Sequence, residues 1–144
     1  MENLTVAIGS DHGGFEYKNA IIEYLKSKNI KCIDVGTYTK ESCDYPKIAR
    51  EVCQKVLSNE AQKGILICGT GIGMSIVANK IKGIRAALCG DTFSAKACRA
   101  HNNANVLCLG QRVIGEQLAL DIVDIWLKSE FEGGRHQRRV DMIE

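Results

Sequence analysis

Apolar residues in this chain fall into short continuous blocks separated by longer stretches of helical spacing, and the two kinds alternate from end to end. Leu4-Thr5-Val6-Ala7-Ile8 reads as a buried strand, and Tyr17, Ala20, Ile21, Tyr24 and Leu25 then mark one face of a helix over residues 14–28. Lys31 to Val35 predicts a second strand and Gly36 to Cys43 a loop. Pro46, the only proline, suits the first turn of a helix running to about Glu60, with Asp44 placed to cap it. Gly64 to Ile67 is the third strand, followed by a helix from Met74 to Lys82, and Ile84 to Leu88 is the fourth. Asp91 or Thr92 can cap a helix through Ala100, Asn105 to Leu109 is the fifth strand, and Leu118, Ile122, Ile125 and Trp126 mark the last helix face.

Short apolar strands alternating with helices imply parallel pairing with helices on both faces. Right-handed crossovers then leave a three-layer α/β/α sandwich, a doubly wound, Rossmann-like sheet of five parallel strands in the expected order 2-1-3-4-5. Its switch point lies between strands one and three, where ligands bind at the C-terminal strand ends. The loop after strand one is Ser10-Asp11-His12-Gly13-Gly14, and that after strand three is Cys68-Gly69-Thr70-Gly71-Ile72-Gly73. Two polar, glycine-bearing loops therefore fall side by side in the one crevice this architecture provides.

Composition narrows the field. A length of 144 residues is one domain, burying roughly two-thirds of its unfolded surface. A net charge of +2 without a basic stripe interleaved with aromatics argues against nucleic acid as a partner. Nothing near the N-terminus resembles a signal peptide and no apolar run approaches the ~20 residues of a membrane span, so the expectation is a cytoplasmic protein without membrane contact. The seven cysteines are spaced nine or more apart, which fits neither a zinc knuckle nor a C-x-x-C redox pair. No metal site and no cofactor are expected, and six of the seven read as small core hydrophobes.

The seventh, Cys68, stands just past a strand and before three glycines at a strand-to-helix junction. There the first helical amides point outward unpaired and the positive end of the helix dipole is exposed, a setting that holds anions and favours a thiolate. The near-miss motifs restrict what the loop can bind. Met74 occupies the third glycine position of a dinucleotide fingerprint and also the arginine position of a cysteine phosphatase, and no Gly-Lys-Ser/Thr or Gly-x-Ser-x-Gly is present. A small anionic ligand suits the loop better than a nucleotide. Asp11 and His12 could simply cap the first helix, and His101 with Asn102 could simply end the fourth. Opposite a thiol-bearing loop Asp11 and His12 become candidate acid/base groups and hydroxyl ligands. Arg112 follows strand five on the ligand edge, and Arg135 and Arg139, four apart, can clamp a phosphate if the tail is helical.

Asp11-His12-Gly13-Gly14, Cys68-Gly69-Thr70-Gly71-Ile72-Gly73-Met74-Ser75, Ala78-Asn79-Lys80, Arg99 to Asn105 and Gly133-Gly134-Arg135-His136-Gln137-Arg138-Arg139 together resemble type B ribose-5-phosphate isomerases, the family that includes galactose-6-phosphate isomerase subunits. The resemblance spans the chain. It implies a single sugar-phosphate isomerase domain, residues 1–144, with a phosphate-binding tail over 130–144, acting on ribose 5-phosphate and ribulose 5-phosphate in the pentose phosphate pathway. It further implies Cys68 as the proton-abstracting base and His101 as the ring-opening acid/base. Thr70 and the amides of Gly69, Thr70, Gly71, Ile72 and Gly73 would hold the reacting oxygens. Asp11, His12 and Asn102 would contact the sugar, and Arg112, Arg135 and Arg139 the phosphate. One branch of the family carries a glutamate where this chain has Met74; the presence of Cys68 assigns it to the cysteine branch.

Topology adds one expectation. Helix four runs away from the ligand edge, so His101 lies remote from its own Cys68, and a single site using both requires a second subunit: a homodimer with shared sites, or a tetramer built from it. Three alternatives stand beside this reading. They are an isomerase of a six-carbon sugar phosphate such as allose 6-phosphate or galactose 6-phosphate, a non-catalytic sugar-phosphate sensor, and a thiol redox protein, which the lack of a resolving cysteine near Cys68 disfavours.

Overall fold

The computed structural model describes residues 3–143. It contains β1 (Thr5–Ser10), α1 (Phe15–Ser27), β2 (Lys31–Asp34), α2 (Tyr45–Leu57), β3 (Lys63–Cys68), α3 (Ile72–Asn79), β4 (Ala86–Leu88), α4 (Thr92–Ala100), β5 (Val106–Gly110), α5 (Glu116–Lys128) and α6 (Arg135–Asp141), with a 3₁₀ turn at His12–Gly14 before α1. Every pairing is parallel. The expected elements are all present with shifted ends. Helix α2 stops at Leu57, and α3 starts earlier than the apolar spacing suggested and ends at Asn79. Asp44 occupies the N-cap position of α2 without a side-chain hydrogen bond. Asp91 caps α4 by accepting from the Ser94 amide at 2.6 Å.

The strand order is β2-β1-β3-β5-β4, not the expected 2-1-3-4-5. The physical reason lies in the two strands that exchange places. β5, Val-Leu-Cys-Leu-Gly, is buried along its whole length, whereas β4 is three residues long with Leu88 44% exposed. A long apolar strand gains most between two neighbours, and a short one leaves the least unpaired backbone at an edge. The crossover from β4 back to β5 places α4 on the same face as α1 and α5. That layer packs Ile21, Leu25, Ala95, Cys98, Ile122 and Trp126 over the sheet, while α2 and α3 cover the other face with Val52, Cys53, Met74 and Ala78. The reversal between β1 and β3 is retained, so the crevice stays where the topology put it.

Candidate active site

The register pairs Ser10 with Ile67 and Cys68 with Gly110, so the loops after β1, β3 and β5 leave the sheet as immediate neighbours. They are bonded to one another. The Asp11 amide donates to Ile67 O at 3.3 Å, Gln111 N to Cys68 O at 2.9 Å and Arg112 N to Gly69 O at 2.9 Å. Gly14 sits so close to β3 that a Cβ there would lie 2.5 Å from Ile67 O.

Cys68 is the last residue of β3, with 6% of its surface exposed. Its sulfur accepts the Gly71 amide at 3.1 Å, and Gly71 turns the chain into α3 with φ +80, a conformation that favours glycine. The first helical amide to reach a carbonyl of this turn is that of Ser75, bonded to Gly71 O at 3.1 Å. The Ile72 amide goes to the Thr70 hydroxyl at 3.2 Å, and those of Gly73 and Met74 belong to the unpaired start of the helix. Thiol, hydroxyl and helix N-terminus thus occupy one turn.

Asp11 is buried and accepts the Gly13 amide at 2.9 Å, capping the 3₁₀ turn. His12 receives the Cys43 amide on Nδ1 at 3.2 Å, which leaves Nε2 as the N–H of its neutral tautomer. Arg112 is exposed and lays its side chain across Gly69, its Cδ 3.5 Å from where a Cβ would be. The sequence did not single out Tyr45, whose ring lies over Gly73 close enough that a Cβ there would meet it at 2.6 Å. It stands at the start of α2, beside a cavity of about 690 Å³ lined by Thr37, Cys43 and Asp44. A tyrosine before a proline carries no local signal for this placement.

The remaining candidates lie elsewhere. His101 ends α4 at the opposite edge of the sheet, where its amide bonds Ala97 O at 2.8 Å. Arg99, buried beside it, donates to Asn103 Oδ1 and Ala104 O at 2.8 Å and to Ser129 O at 3.4 Å, tying the tail to that edge. Glu132 N adds a bond to Ala100 O at 3.0 Å. The tail is helical: α6 presents Arg135 and Arg139, both exposed, one turn apart. Asn102 is exposed next to His101. Within one chain the candidates therefore form two groups at opposite sheet edges, Asp11, His12, Cys68–Gly73 and Arg112 at one and His101, Asn102, Arg135 and Arg139 at the other.

His101 has two companions the sequence reading did not pair with it. The His136 ring stacks on it with centroids 4.4 Å apart and planes inclined by 15°, and Glu132 Oε1 lies 3.8 Å from His101 Nε2 and 3.5 Å from His136 Nε2. The Glu132-x-x-x-His136 spacing is the only trace of this in the sequence. These three donors lie within 4.8 Å of one another, but a metal ion must lie in the plane of each imidazole that binds it, and two stacked rings share no such point. The trio is built as a stack sharing a carboxylate.

Known proteins match this chain over nearly its whole length. Residues 6–143 match the Ribose/Galactose Isomerase family model. Ribose-5-phosphate isomerase B of Escherichia coli strain K12 is 49% identical over 138 residues, 96% of this chain and 93% of that one. D-erythrulose-4-phosphate isomerase of Pectobacterium atrosepticum is 47% identical over 97% of this chain and 93% of its own. The crystal structure of ribose-5-phosphate isomerase B from Mycoplasma genitalium with bound ribulose-5-phosphate superposes with a TM-score of 0.95 at 45% identity, covering 99% of this chain and 95% of that one.

Proposed function

The chain belongs to the ribose/galactose isomerase family, and from that premise we propose that it interconverts ribose 5-phosphate and ribulose 5-phosphate by proton transfer through an enediolate. The observation that carries this reading is the Cys68 sulfur held by the Gly71 amide at the start of α3, with the Asp11–His12 loop bonded against it.

The chemistry divides among the named residues. His101 moves the proton that opens the sugar ring. The Cys68 thiolate takes the hydrogen from C2, the C–H electron pair forms the C1–C2 double bond, and the C1 carbonyl becomes an oxyanion. Amides of the Gly69–Gly73 turn and the Thr70 hydroxyl hold that oxyanion, an arrangement worth about 3–4 kcal/mol for a single donor. The C2 hydroxyl passes its proton to the C1 oxyanion, and the electrons of that O–H bond form the C2 carbonyl. The C1–C2 double-bond pair takes the proton back from the thiol at C1, and the ketose results. Asp11, His12 and Asn102 contact hydroxyls, and Arg112, Arg135 and Arg139 bind the phosphate, the last two from the tail over residues 130–144. None of the three arginines has a carboxylate partner among the described residues.

The two groups of candidates stand at opposite edges of one sheet, which supports a site completed by a second copy in a homodimer. Ile72, Leu88 and Val113 beside the Cys68 turn, with Phe93 79% exposed, offer an apolar surface for that copy. Seven free thiols, and the lack of any described helix long and apolar enough to cross a membrane, support a cytoplasmic setting.

A coupled assay of ribose 5-phosphate turnover tests the base: Cys68→Ala should lose roughly 100- to 10,000-fold in kcat with KM little changed, and a two-fold loss would place the base elsewhere. Mixing Cys68→Ala with His101→Ala chains tests sharing. Half of randomly paired dimers carry one intact site of two, so activity should return to about a quarter, and no recovery counts against a shared site.

A second reading keeps the chemistry and changes the length of the sugar. The family description names galactose beside ribose, and a relative of nearly equal identity is a D-erythrulose-4-phosphate isomerase. Comparing kcat/KM for four-, five- and six-carbon sugar phosphates decides it. A six-carbon preference would select the allose 6-phosphate or galactose 6-phosphate alternative.

A further inference from the structure

The cysteine spacing contains no C-x-x-C pair, yet the fold brings two thiols together away from Cys68. Cys89 follows β4 and Cys98 lies in α4, and their sulfurs are 3.9 Å apart inside the layer formed by α1, α4 and α5. Cys89 is 2% and Cys98 8% exposed. Each lines a different surface cavity, Cys98 one of about 380 Å³ with Asn79 and Asn102, Cys89 one of about 310 Å³ with Thr70 and Val113. In the homodimer proposed above the Cys89 cavity belongs to the surface given to the second copy, so the Cys98 cavity is the path by which a small oxidant reaches the pair.

A second feature marks the same spot. Trp126, the chain's only tryptophan, is fully buried, and its indole Nε1 has no hydrogen-bond partner among the described residues. Trp126 and both sulfurs belong to one buried cluster, and the indole is near enough to the Cys98 sulfur to lower that thiol's pKa. A buried N–H without an acceptor costs free energy, and a negative charge on that sulfur would remove the deficit. The two thiols are not equivalent. Cys98 Sγ lies 3.3 Å from Ala95 O, to which its thiol donates when protonated. The contact shared with Cys89 lowers the pKa of Cys98, helped by Trp126 and Arg99 and opposed by burial, while the same contact and burial push Cys89 up. Burial pushes Cys32 and Cys53 up to about 11, so neither shares this bias.

We propose that Cys89 and Cys98 are a peroxide-sensitive thiol pair that closes to an intramolecular disulfide beside Trp126. The Cys98 thiolate attacks one oxygen of hydrogen peroxide, breaking the O–O bond and leaving Cys98 as a sulfenic acid with release of hydroxide. The Cys89 thiol then attacks that sulfur, the S–S bond forms, and the sulfenic oxygen departs as water. The proton Cys98 had lost neutralises the hydroxide, so two thiols and one peroxide give one disulfide and two waters. Closing the bond draws the sulfurs together by about 1.9 Å. That movement pulls on α4, whose cap His101 stands three residues beyond Cys98. The consequence for turnover rests on the role proposed for His101; the disulfide itself does not.

The test uses the full-length Cys68→Ala chain, so that the turn's own sulfur cannot react. After treatment with hydrogen peroxide and trapping of free thiols, tryptic digestion should yield peptide 86–96, carrying Cys89, joined to peptide 97–99, carrying Cys98, and lighter by two hydrogens than the sum of the two. Trp126 emission should fall as the linked peptide accumulates and return with dithiothreitol. This mapping needs no substitution at either cysteine. Absence of the linked peptide, or quenching that persists in Cys98→Ala, overturns the pair. In the otherwise unaltered enzyme, the fall in kcat that is reversed by reduction should be about tenfold larger than in Cys89→Ala, the loss common to both belonging to oxidation of Cys68. A linked peptide without that difference in kcat upholds the pair and overturns its coupling to His101.

Discussion

Adding one carbon at Gly14 tests whether the contact between the β1 and β3 loops sets the geometry of the site. Gly14 has φ −117, a conformation alanine also adopts, so the substitution introduces sterics alone. The new Cβ would lie 2.5 Å from Ile67 O and 2.6 Å from its carbonyl carbon, about 0.9 Å inside the 3.4 Å where ordinary contact begins. Ile67 is held between β1 and β5 in the middle of the sheet and cannot yield. The displacement must fall on residues 11–14. Overpacking of this kind costs about 1–3 kcal/mol, which in a chain of this length lowers Tm by roughly 3–10 °C. A shift near 1 Å of Asp11 and His12 relative to Cys68 should also reduce kcat by about 100-fold. Steady-state kinetics and thermal melts of Gly14→Ala read both quantities. Gly115→Ala, whose Cβ would meet nothing within 4 Å, should lose under ~1 kcal/mol and keep its turnover. Wild-type Tm and kcat in Gly14→Ala would refute the steric argument. A lowered Tm with intact kcat would separate loop packing from chemistry.

Asp34→Asn should cost about 3 kcal/mol in urea denaturation, because Lys18, 1% exposed and 2.8 Å from Asp34, is left as a buried ammonium without its counter-charge; Lys18→Met in the same chain should recover most of the loss. Asp91→Ala removes the α4 cap and should lower stability by about 1 kcal/mol, read from the same denaturation curves, with Asp91→Asn retaining most of it. Asp124 accepts from Lys128 at 2.9 Å and from the Tyr24 hydroxyl at 2.6 Å, and these bonds, Lys128's first, hold its carboxyl below the usual range. The unfolded chain then binds that proton more readily, so this stability is present above ~pH 4 and lost as pH falls through the folded value. Asp124→Asn should flatten the acid limb of a stability profile. At the alkaline end burial, then Asp124, pushes Tyr24 up to about 12. Its contribution is complete below ~pH 10 and is lost as pH rises through the folded value, a loss Tyr24→Phe should abolish.

The element sequence and the crevice between β1 and β3 were legible because they depend on apolar periodicity and crossover handedness, both written locally. The exchange of β4 and β5 was not read, although its cause is present in the chain: Ala-Ala-Leu is too slight to fill a central position that Val-Leu-Cys-Leu fills. Of the site, the Cys68 turn and Asp11 were readable from glycine placement at strand ends. That His101 stands at the far edge followed from the direction of α4 alone. The stack of His101 on His136 and the Tyr45 ring over Gly73 were not readable, since each joins segments that only tertiary packing brings together. The Cys89–Cys98 contact escaped for the same reason, its partners lying on different elements.

The inward position of β5 also decides which charged side chain stands beside the Cys68 turn. A strand beside β3 delivers whatever residues follow it to the rim next to Cys68, and β5 delivers Gln111 and Arg112, bonded to Cys68 O and Gly69 O. Had β4 taken that place, the rim would have received Cys89, Gly90 and Asp91, a carboxylate in place of a guanidinium. An anion approaching the turn would then meet repulsion where it now meets attraction, about 1 kcal/mol in water at 4 Å and several times that near a low-dielectric wall.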